Sequence, residues 1–262
     1  RTYGQAGEVT WNQRTKEDRG AWWEMGGRLR NATHGEEIPA VFLYPKNWNG
    51  RSVVWLSDAG KSGLFANGQP IPAVRRLLDG GATVCGLDLL YQGEFVPGGQ
   101  PVTRTRRVKN PREAAAYTFG YNRALFAQRV HDVLTALRFI RTHERPSRQV
   151  AAVALDPVTG PILAAALAVS GDAVDLAACD THGFRFGAVA DLWDVSFLPG
   201  GAKYGDLSGF LALTRTPQVW IAGEPSTVTD SIAALSGARV NRASGTSGSD
   251  LAAADWLAGI AL

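Results

Sequence analysis

Residues 149–169 read QVAAVALDPVTGPILAAALAV, an apolar run, a turn and a second apolar run. The first run has the length of a β-strand and contains no polar residue after Gln149, as in strands that are buried on both faces of a parallel sheet. Pro157 and Gly160 punctuate the turn, and the run at 161–169 has the length and composition of a buried helix. This stretch predicts a strand, a tight turn and a helix.

The same alternation extends outward in both directions. Further strands are predicted at 38–44, 52–56, 83–87, 174–179, 218–222 and 239–242. Further helices are predicted at 73–78, 122–141, 226–235 and 250–260. Strands that alternate with helices are typical of a mostly parallel central sheet with helices on both faces. The fold class is therefore α/β, and the length of 262 residues fits one large domain.

Two patterns indicate core positions. The helix at 122–141 carries an apolar stripe at helical spacing, made of Phe126, Val130, Val133, Leu134 and Leu137. Cys85 and Cys179 both lie in apolar runs, so we expect buried free thiols rather than a disulfide.

The amino-acid composition limits the classes of partner to be expected. Hydrophobic residues make up 45% of the chain and charged residues 19%, as in soluble globular proteins. The 27 basic and 24 acidic residues are interspersed, apart from a basic cluster at 104–109, so nucleic acid is not an expected partner. No apolar run approaches the length of a membrane span. The chain opens with Arg1, which predicts a start that was processed or cut from a longer chain.

Four segments carry a resemblance to known proteins: HGEEIPA at 34–40 with YPKNW at 44–48, VVWLSDAGK at 53–61, and GLDLLYQGE at 86–94. They resemble acetyl xylan esterase-like and dienelactone-hydrolase-like bacterial proteins of the α/β-hydrolase superfamily. The resemblance covers roughly residues 30–262 and implies the α/β-hydrolase fold. It also implies an extracellular or periplasmic location, which no motif of the chain supports independently.

That fold carries its nucleophile on a strained G-x-S-x-G turn between a strand and a helix. Alignment on Gly160 places Val158 at the nucleophile position and Asp156 at the first glycine. Ser226 takes the acid position that follows Gly223, and Ser247 stands where the base histidine is expected. No histidine follows His182 in the sequence, so a degenerate catalytic triad is predicted.

Other residues near the same sheet edge are candidates for a pocket. Four of them could activate water or a hydroxyl group: Asp156, Thr159, His182 and Glu224. The structural alternative is that these side chains only form hydrogen bonds within the turns in which they lie. Asp58, Gly60 and Lys61 follow a strand where this fold provides backbone N–H groups of the oxyanion hole, although they also suit an ordinary loop. No pair of histidines has metal-ligand spacing, so neither a metal nor a cofactor is expected.

The N-terminal segment 1–27 is predicted to be an extension or docking segment ahead of a hydrolase-fold domain at 28–262. Trp11, Trp22, Trp23 and Trp48 crowd this region. Tryptophan packs cores, and it also forms platforms for sugar rings or partner surfaces. A carbohydrate, a preceding catalytic domain or a second copy of the chain are the partners to consider.

Two functions remain open from the sequence. The first is a non-catalytic hydrolase-fold domain of an acetyl xylan esterase-like protein, with a structural, interaction or carbohydrate-binding role. The second is a carboxylic ester hydrolase, acting on a carbohydrate or a small ester, with a non-standard catalytic site.

Overall fold

The structure is a computed structural model that describes residues 1–105, 118–243 and 248–262. Residues 106–109 of the basic cluster and Ser247, the predicted base position, lie outside the described residues.

Within the described residues, nine strands form one sheet and two short strands form a separate hairpin. The sheet contains β1 (Val9–Asp18), β2 (Trp22–Asn31), β3 (Glu36–Pro45), β4 (Arg51–Leu56), β7 (Thr83–Leu87), β8 (Gln149–Ala154), β9 (Leu176–Asp180), β10 (Gln218–Ala222) and β11 (Arg239–Arg242). The hairpin consists of β5 (Phe65–Ala66) and β6 (Gln69–Pro70).

The strand order is β1-β2-β3-β7-β4-β8-β9-β10-β11. The six strands from β7 to β11 in this order are parallel, and β1, β2 and β3 are joined in antiparallel pairs. The predicted mostly parallel sheet is confirmed. Because parallel strands share one direction, the carboxyl ends of β7, β4, β8, β9 and β10 meet at one edge.

Six helices cover this sheet in the described part of the chain: α1 (Pro72–Asp79), α2 (Leu125–Thr142), α3 (Thr159–Val169), α4 (Asp206–Ala212), α5 (Ser226–Ser236) and α6 (Asp250–Ala258). Helices α2 to α5 pack on one face, and α1 and α6 pack on the other. Strand β4 shows the two-sided burial: Val54 and Leu56 face α2 to α5, and Val53 and Trp55 face α1 and α6. Helices on both faces are confirmed.

The predicted core residues occupy the interior. Four residues of the α2 stripe are buried, and Val130 is partly buried against the same cluster. Cys85 and Cys179 are free and buried, as predicted.

Residues 1–27 supply β1 and the first part of β2. Strand β1 pairs along its length with β2, which pairs in turn with β3. Trp22 is buried, and the other three tryptophans of this region are half-buried. The Trp11 ring stands edge-on to Phe42 with 5.0 Å between centroids, and Lys16 Nζ lies 4.4 Å from the centroid of the Trp23 ring. None of the four side chains forms an open, exposed platform.

Candidate functional site

A row of carboxylates follows the carboxyl ends of five neighbouring parallel strands, the edge at which α/β sheets bind ligands. In the order of the sheet they are Asp88, Asp58, Asp156, Asp180 and Glu224. Each accepts hydrogen bonds from a loop or side chain at this edge. The candidate site is built on this row.

The turn between β8 and α3 has a relaxed backbone. Val158 has φ −91° and ψ −43°, ordinary right-handed helical values, and it directly precedes α3. No residue of the turn has a positive φ, so the strain that lifts a nucleophile above the sheet in this kind of turn is missing. The Val158 side chain is half-buried and carries no nucleophilic atom.

Gly160 keeps the close packing of the turn. A Cβ atom at this position would lie 1.8 Å from the carbonyl oxygen of Asp180, at the end of β9. Only glycine allows α3 to approach β9 so closely. Gly160, which aligns with the last glycine of the elbow pattern, therefore serves this packing.

Both backbone donors that would form an oxyanion hole are occupied by carboxylates of the chain itself. In this kind of site one donor is the N–H of the residue after the nucleophile, and the other comes from the loop after a neighbouring strand. Here the Thr159 N–H donates to Asp58 Oδ1 at 2.9 Å, and the Val158 N–H donates to Asp58 Oδ2 at 3.1 Å. The Asp58 N–H donates in turn to Asp156 Oδ2 at 2.8 Å.

The other oxyanion-loop candidates are also engaged. The Gly60 N–H donates to the carbonyl of Ser57 at 2.9 Å. The Lys61 N–H donates to Asp88 Oδ1 at 2.9 Å, and the Lys61 ammonium pairs with Asp88 and Glu94. These bonds hold the loop after β4 in place and leave no backbone N–H of Asp58, Gly60 or Lys61 free for a substrate oxygen.

The acid side of the site is an ion pair between the buried Glu224 carboxylate and the partly exposed Arg185 guanidinium. Ser226 is exposed at the first position of α5. The Glu224 side chain is 0% exposed and accepts two hydrogen bonds from the Arg185 guanidinium, at 2.8 and 2.6 Å. Thr181 Oγ1 donates a third at 2.7 Å. Since every one of these bonds stabilises a carboxylate, Glu224 is held as an ion-pair partner of Arg185.

His182 forms its hydrogen bonds with groups other than Thr159. Its backbone lies in the left-handed region, with φ +48°, and its N–H donates to Asp180 Oδ1 at 2.8 Å. Its Nε2 lies 2.7 Å from the carbonyl oxygen of Leu155. The Thr159 hydroxyl is buried without a hydrogen-bond partner among the described residues. No hydrogen bond there links His182 to Thr159 or Glu224.

A cavity of about 410 Å³ opens in front of the turn. Its walls are Asp58, Gln92, Pro101, Val102, Thr103, Arg129, Val158, Asp194, Val195 and Ser196. Its volume falls in the range of small-molecule sites. The cavity therefore lies beside the turn between β8 and α3, where Val158 carries no nucleophilic atom.

Sequence reasoning missed Arg129, which points from α2 into this cavity. The residue is 1% exposed, and its Nε donates to the carbonyl of Leu90 at 2.9 Å. The available signal was an arginine three residues after Phe126 and four before Val133, on the buried side of the helix.

Burial has the largest effect on the pKa values of the charged groups around this cavity. It raises the pKa of Asp58 above its ordinary value, aided by the Asp156 charge, while the N–H groups of Val158 and Thr159 act in the opposite direction. Burial also lowers the pKa of Arg129. The carboxyl group of Asp132, one turn along α2, is fully buried and has its pKa raised to about 7.

No cluster of three or more metal-binding side chains occurs in the described residues. Among the helices of that same part of the chain, none has the length and apolar character needed to cross a bilayer.

Comparison of the whole chain with solved structures identifies the fold. A cold-adapted esterase from an Arctic intertidal metagenomic library has a TM-score of 0.51 and 17% sequence identity, over 95% of this chain and 98% of that one. A promiscuous CE15 esterase from a marine bacterial metagenome has a TM-score of 0.59 and 10% identity, over 95% and 84%. The chain has the α/β-hydrolase fold.

A third α/β-hydrolase is larger than this chain. The acylaminoacyl peptidase of Pyrococcus horikoshii has a TM-score of 0.54 and 10% identity, over 95% of this chain and 40% of that one. No protein-family model and no curated protein matches the sequence. At these identities the similarity extends to the fold and not to the reaction.

Proposed function

We propose that this chain is an α/β-hydrolase-fold domain that does not hydrolyse esters and uses the former active-site edge to bind a ligand. The observation that carries the proposal is the 2.9 Å hydrogen bond from the Thr159 N–H to the Asp58 carboxylate. This carboxylate stands where the oxyanion of an ester substrate would be stabilised. A substrate oxygen would have to displace a charged group that α3 already binds.

The magnitudes support loss of activity. Loss of one oxyanion donor costs about 10²–10³-fold in rate, and loss of the nucleophile or base of a triad costs about 10⁶-fold. Here Val158 cannot attack, no histidine follows His182, and the Thr159 N–H is occupied. These deficits are enough to remove the rate enhancement of an ordinary esterase.

The four segments that resemble acetyl xylan esterase-like and dienelactone-hydrolase-like proteins support descent from a carbohydrate or small-ester hydrolase. A carbohydrate platform made by the N-terminal tryptophans receives no support from their packing, because those side chains are buried or half-buried. The cavity beside Val158 is the better binding site. A preceding catalytic domain or a second copy of the chain stays a proposed partner.

A single observation favours the alternative of an ester hydrolase with a non-standard site. The Thr159 hydroxyl has no hydrogen-bond partner within residues 1–105, 118–243 and 248–262, and it adjoins Asp58, a carboxylate whose pKa is raised by burial. Against it, Thr159 is 0% exposed, and both His182 and Glu224 are bonded to other groups.

The test is hydrolysis of p-nitrophenyl acetate and acetylated xylan by the wild type, Val158→Ser and Val158→Ser/Asp58→Ala. We expect all three proteins to match the buffer rate, because none has a base histidine. Wild-type turnover that co-purifies with the folded protein and is lost in Thr159→Val would overturn the proposal. Thr83→Val is the matched control, since the Thr83 hydroxyl is also buried with no partner in the described part of the chain, and Thr83 lies at the amino end of β7, opposite to the end that leads to Asp88.

A further inference from the structure

Arg129 is a buried cation whose terminal nitrogens have no partner in the described part of the chain. The residue is 1% exposed, and its one hydrogen bond there uses Nε and the Leu90 carbonyl. Asp132 and Asp58 are the opposite charges that act on it, and its one hydrogen bond in the described residues goes to neither of them. Two of the three guanidinium nitrogens thus have no acceptor among the residues that the structure describes.

A buried guanidinium that is not hydrogen-bonded to an opposite charge is costly. Removal of a charge from water destabilises the folded protein by several kcal/mol unless the charge is paired and hydrogen-bonded. The same burial lowers the pKa of Arg129, because the charged form of the guanidinium is disfavoured away from water. Since Arg129 lines the 410 Å³ cavity, an anion in that cavity would reach it and offset this cost.

The geometry points to a small monocarboxylate as the ligand of this cavity, bound through the terminal nitrogens of Arg129. The planar fork of a guanidinium matches the two oxygens of a carboxylate, and this pairing is among the strongest hydrogen-bond arrangements in proteins. Val102, Val158 and Val195 line the same cavity, so the rest of the ligand is a short apolar body.

The charges on the walls favour a single negative charge on the ligand. Asp58 and Asp194 also line the cavity. The charge of Asp58 is balanced in part by two N–H groups at the start of α3, and Asp194 Oδ1 accepts the Ser196 N–H. A multiply charged anion such as phosphate would meet both carboxylates with only one guanidinium to pair with.

The acid site deepens the proposed function. It rests on that function because the acid is taken to be a ligand and not the product of ester hydrolysis. The two can fail separately. Hydrolysis by the wild type together with Arg129-dependent acid binding would refute the proposed function alone. Absence of both hydrolysis and acid binding would refute the inference alone.

The experiment is a calorimetric titration of the purified chain with 3-methylbutanoate, benzoate and acetate, with 3-methylbutanamide as the neutral analogue. We expect the acids to bind and the amide to bind at least about tenfold more weakly, because a charge-assisted hydrogen bond is lost. L-valine, the 2-amino derivative of the first acid, distinguishes a plain acid from a zwitterion, and binding of either through Arg129 supports the proposal.

Three variants decide the role of Arg129. Arg129→Met is expected to weaken acid binding at least about tenfold, and Arg123→Met is the matched control, an exposed arginine that precedes the same helix. Val102→Trp fills the cavity without altering the guanidinium, so it keeps the test valid if Arg129→Met does not fold. Unchanged binding in either folded cavity variant, or no binding of any acid by the wild type at about 10 mM, would overturn the proposal.

Discussion

Asp58 Oδ1 and the backbone N–H of Thr159 are joined by a hydrogen bond of 2.9 Å, although the two residues are 101 positions apart in the chain. The bond ties the loop after β4 to the first turn of α3. The same carboxylate accepts the Val158 N–H, so Asp58 performs the task of a helix N-cap from a distant loop.

Replacement of Asp58 by alanine tests this capping role. Two N–H groups at the start of α3 would lose their acceptor, so we expect Asp58→Ala to lower the free energy of unfolding by about 2 kcal/mol. Asp58→Asn keeps an acceptor oxygen and should cost less. Urea unfolding measures both. Asp172→Ala, at an exposed aspartate, is the control, and an equal effect of the two alanine variants would contradict the role.

Gly160 tests the contact between α3 and β9. A methyl group there would overlap the Asp180 carbonyl oxygen, so Gly160→Ala should destabilise the fold by about 3 kcal/mol or prevent folding. Thermal unfolding followed by circular dichroism gives the change. Gly4→Ala is the control, because the nearest atom to its added Cβ is 4.0 Å away. An unchanged midpoint in Gly160→Ala would show that the turn is looser than described.

Substitutions of Arg185 and Glu224 test whether the two side chains of this ion pair stabilise the fold jointly. Arg185→Met leaves a buried carboxylate with Thr181 as its remaining side-chain partner and should cost about 3 kcal/mol, because an uncompensated buried charge is unfavourable. Arg185→Met/Glu224→Gln should cost less than the sum of the single changes. A double-mutant cycle by urea unfolding gives the coupling energy. Additivity within about 0.5 kcal/mol would mean that the pair contributes nothing together.

The raised pKa of Asp132 predicts that the free energy of unfolding depends on pH. Burial raises its pKa to about 7, from the ordinary value of 3.8 for an aspartate. Between these values the folded protein holds the proton and the unfolded chain has released it. The stability contributed by this group therefore falls as pH rises from about 4 to 7 and is constant above that.

Asp132→Asn removes this titration and keeps an oxygen for the Leu90 N–H. The stability of the variant relative to the wild type should therefore increase between pH 5 and pH 8. Urea unfolding at both values measures it, with Asp172→Asn as an exposed control. A difference that does not change with pH would show that Asp132 is ionised throughout.

Much of the fold was predictable because it depends on local patterns. The strands 83–87, 218–222 and 239–242 were predicted with the bounds that the structure shows. Strand β1 was missed because Val9–Asp18 is almost wholly exposed and has no apolar alternation to indicate a strand. The conformation of β1 depends on its pairing with β2, and the residues of β1 alone do not indicate that pairing. Helix α4 was missed because it is short and follows a glycine-rich stretch.

The candidate site was predictable in its position and not in its bonds. The turn at 156–160 and the loop at Asp58 were located from strand ends, which are local features. The bonds between Asp58 and Thr159 span 101 positions, and no sequence periodicity encodes a contact at that separation. Arg129 was hidden for a different reason, since its apolar neighbours on α2 led to the interpretation of that face as core alone.

The relaxed backbone of Val158 matters for any attempt to introduce a Ser-acid-His triad into this domain. Exchange of three side chains would supply a nucleophile, an acid and a base, yet the hydroxyl at position 158 would still be carried by a helical residue, at φ −91° and ψ −43°. A productive active site would need a new path for the main chain between β8 and α3, and release of the two N–H groups that Asp58 holds. The backbone of this turn therefore differs from that of a nucleophile elbow as much as its side chains do, so a triad would require a redesigned loop before any side-chain substitution.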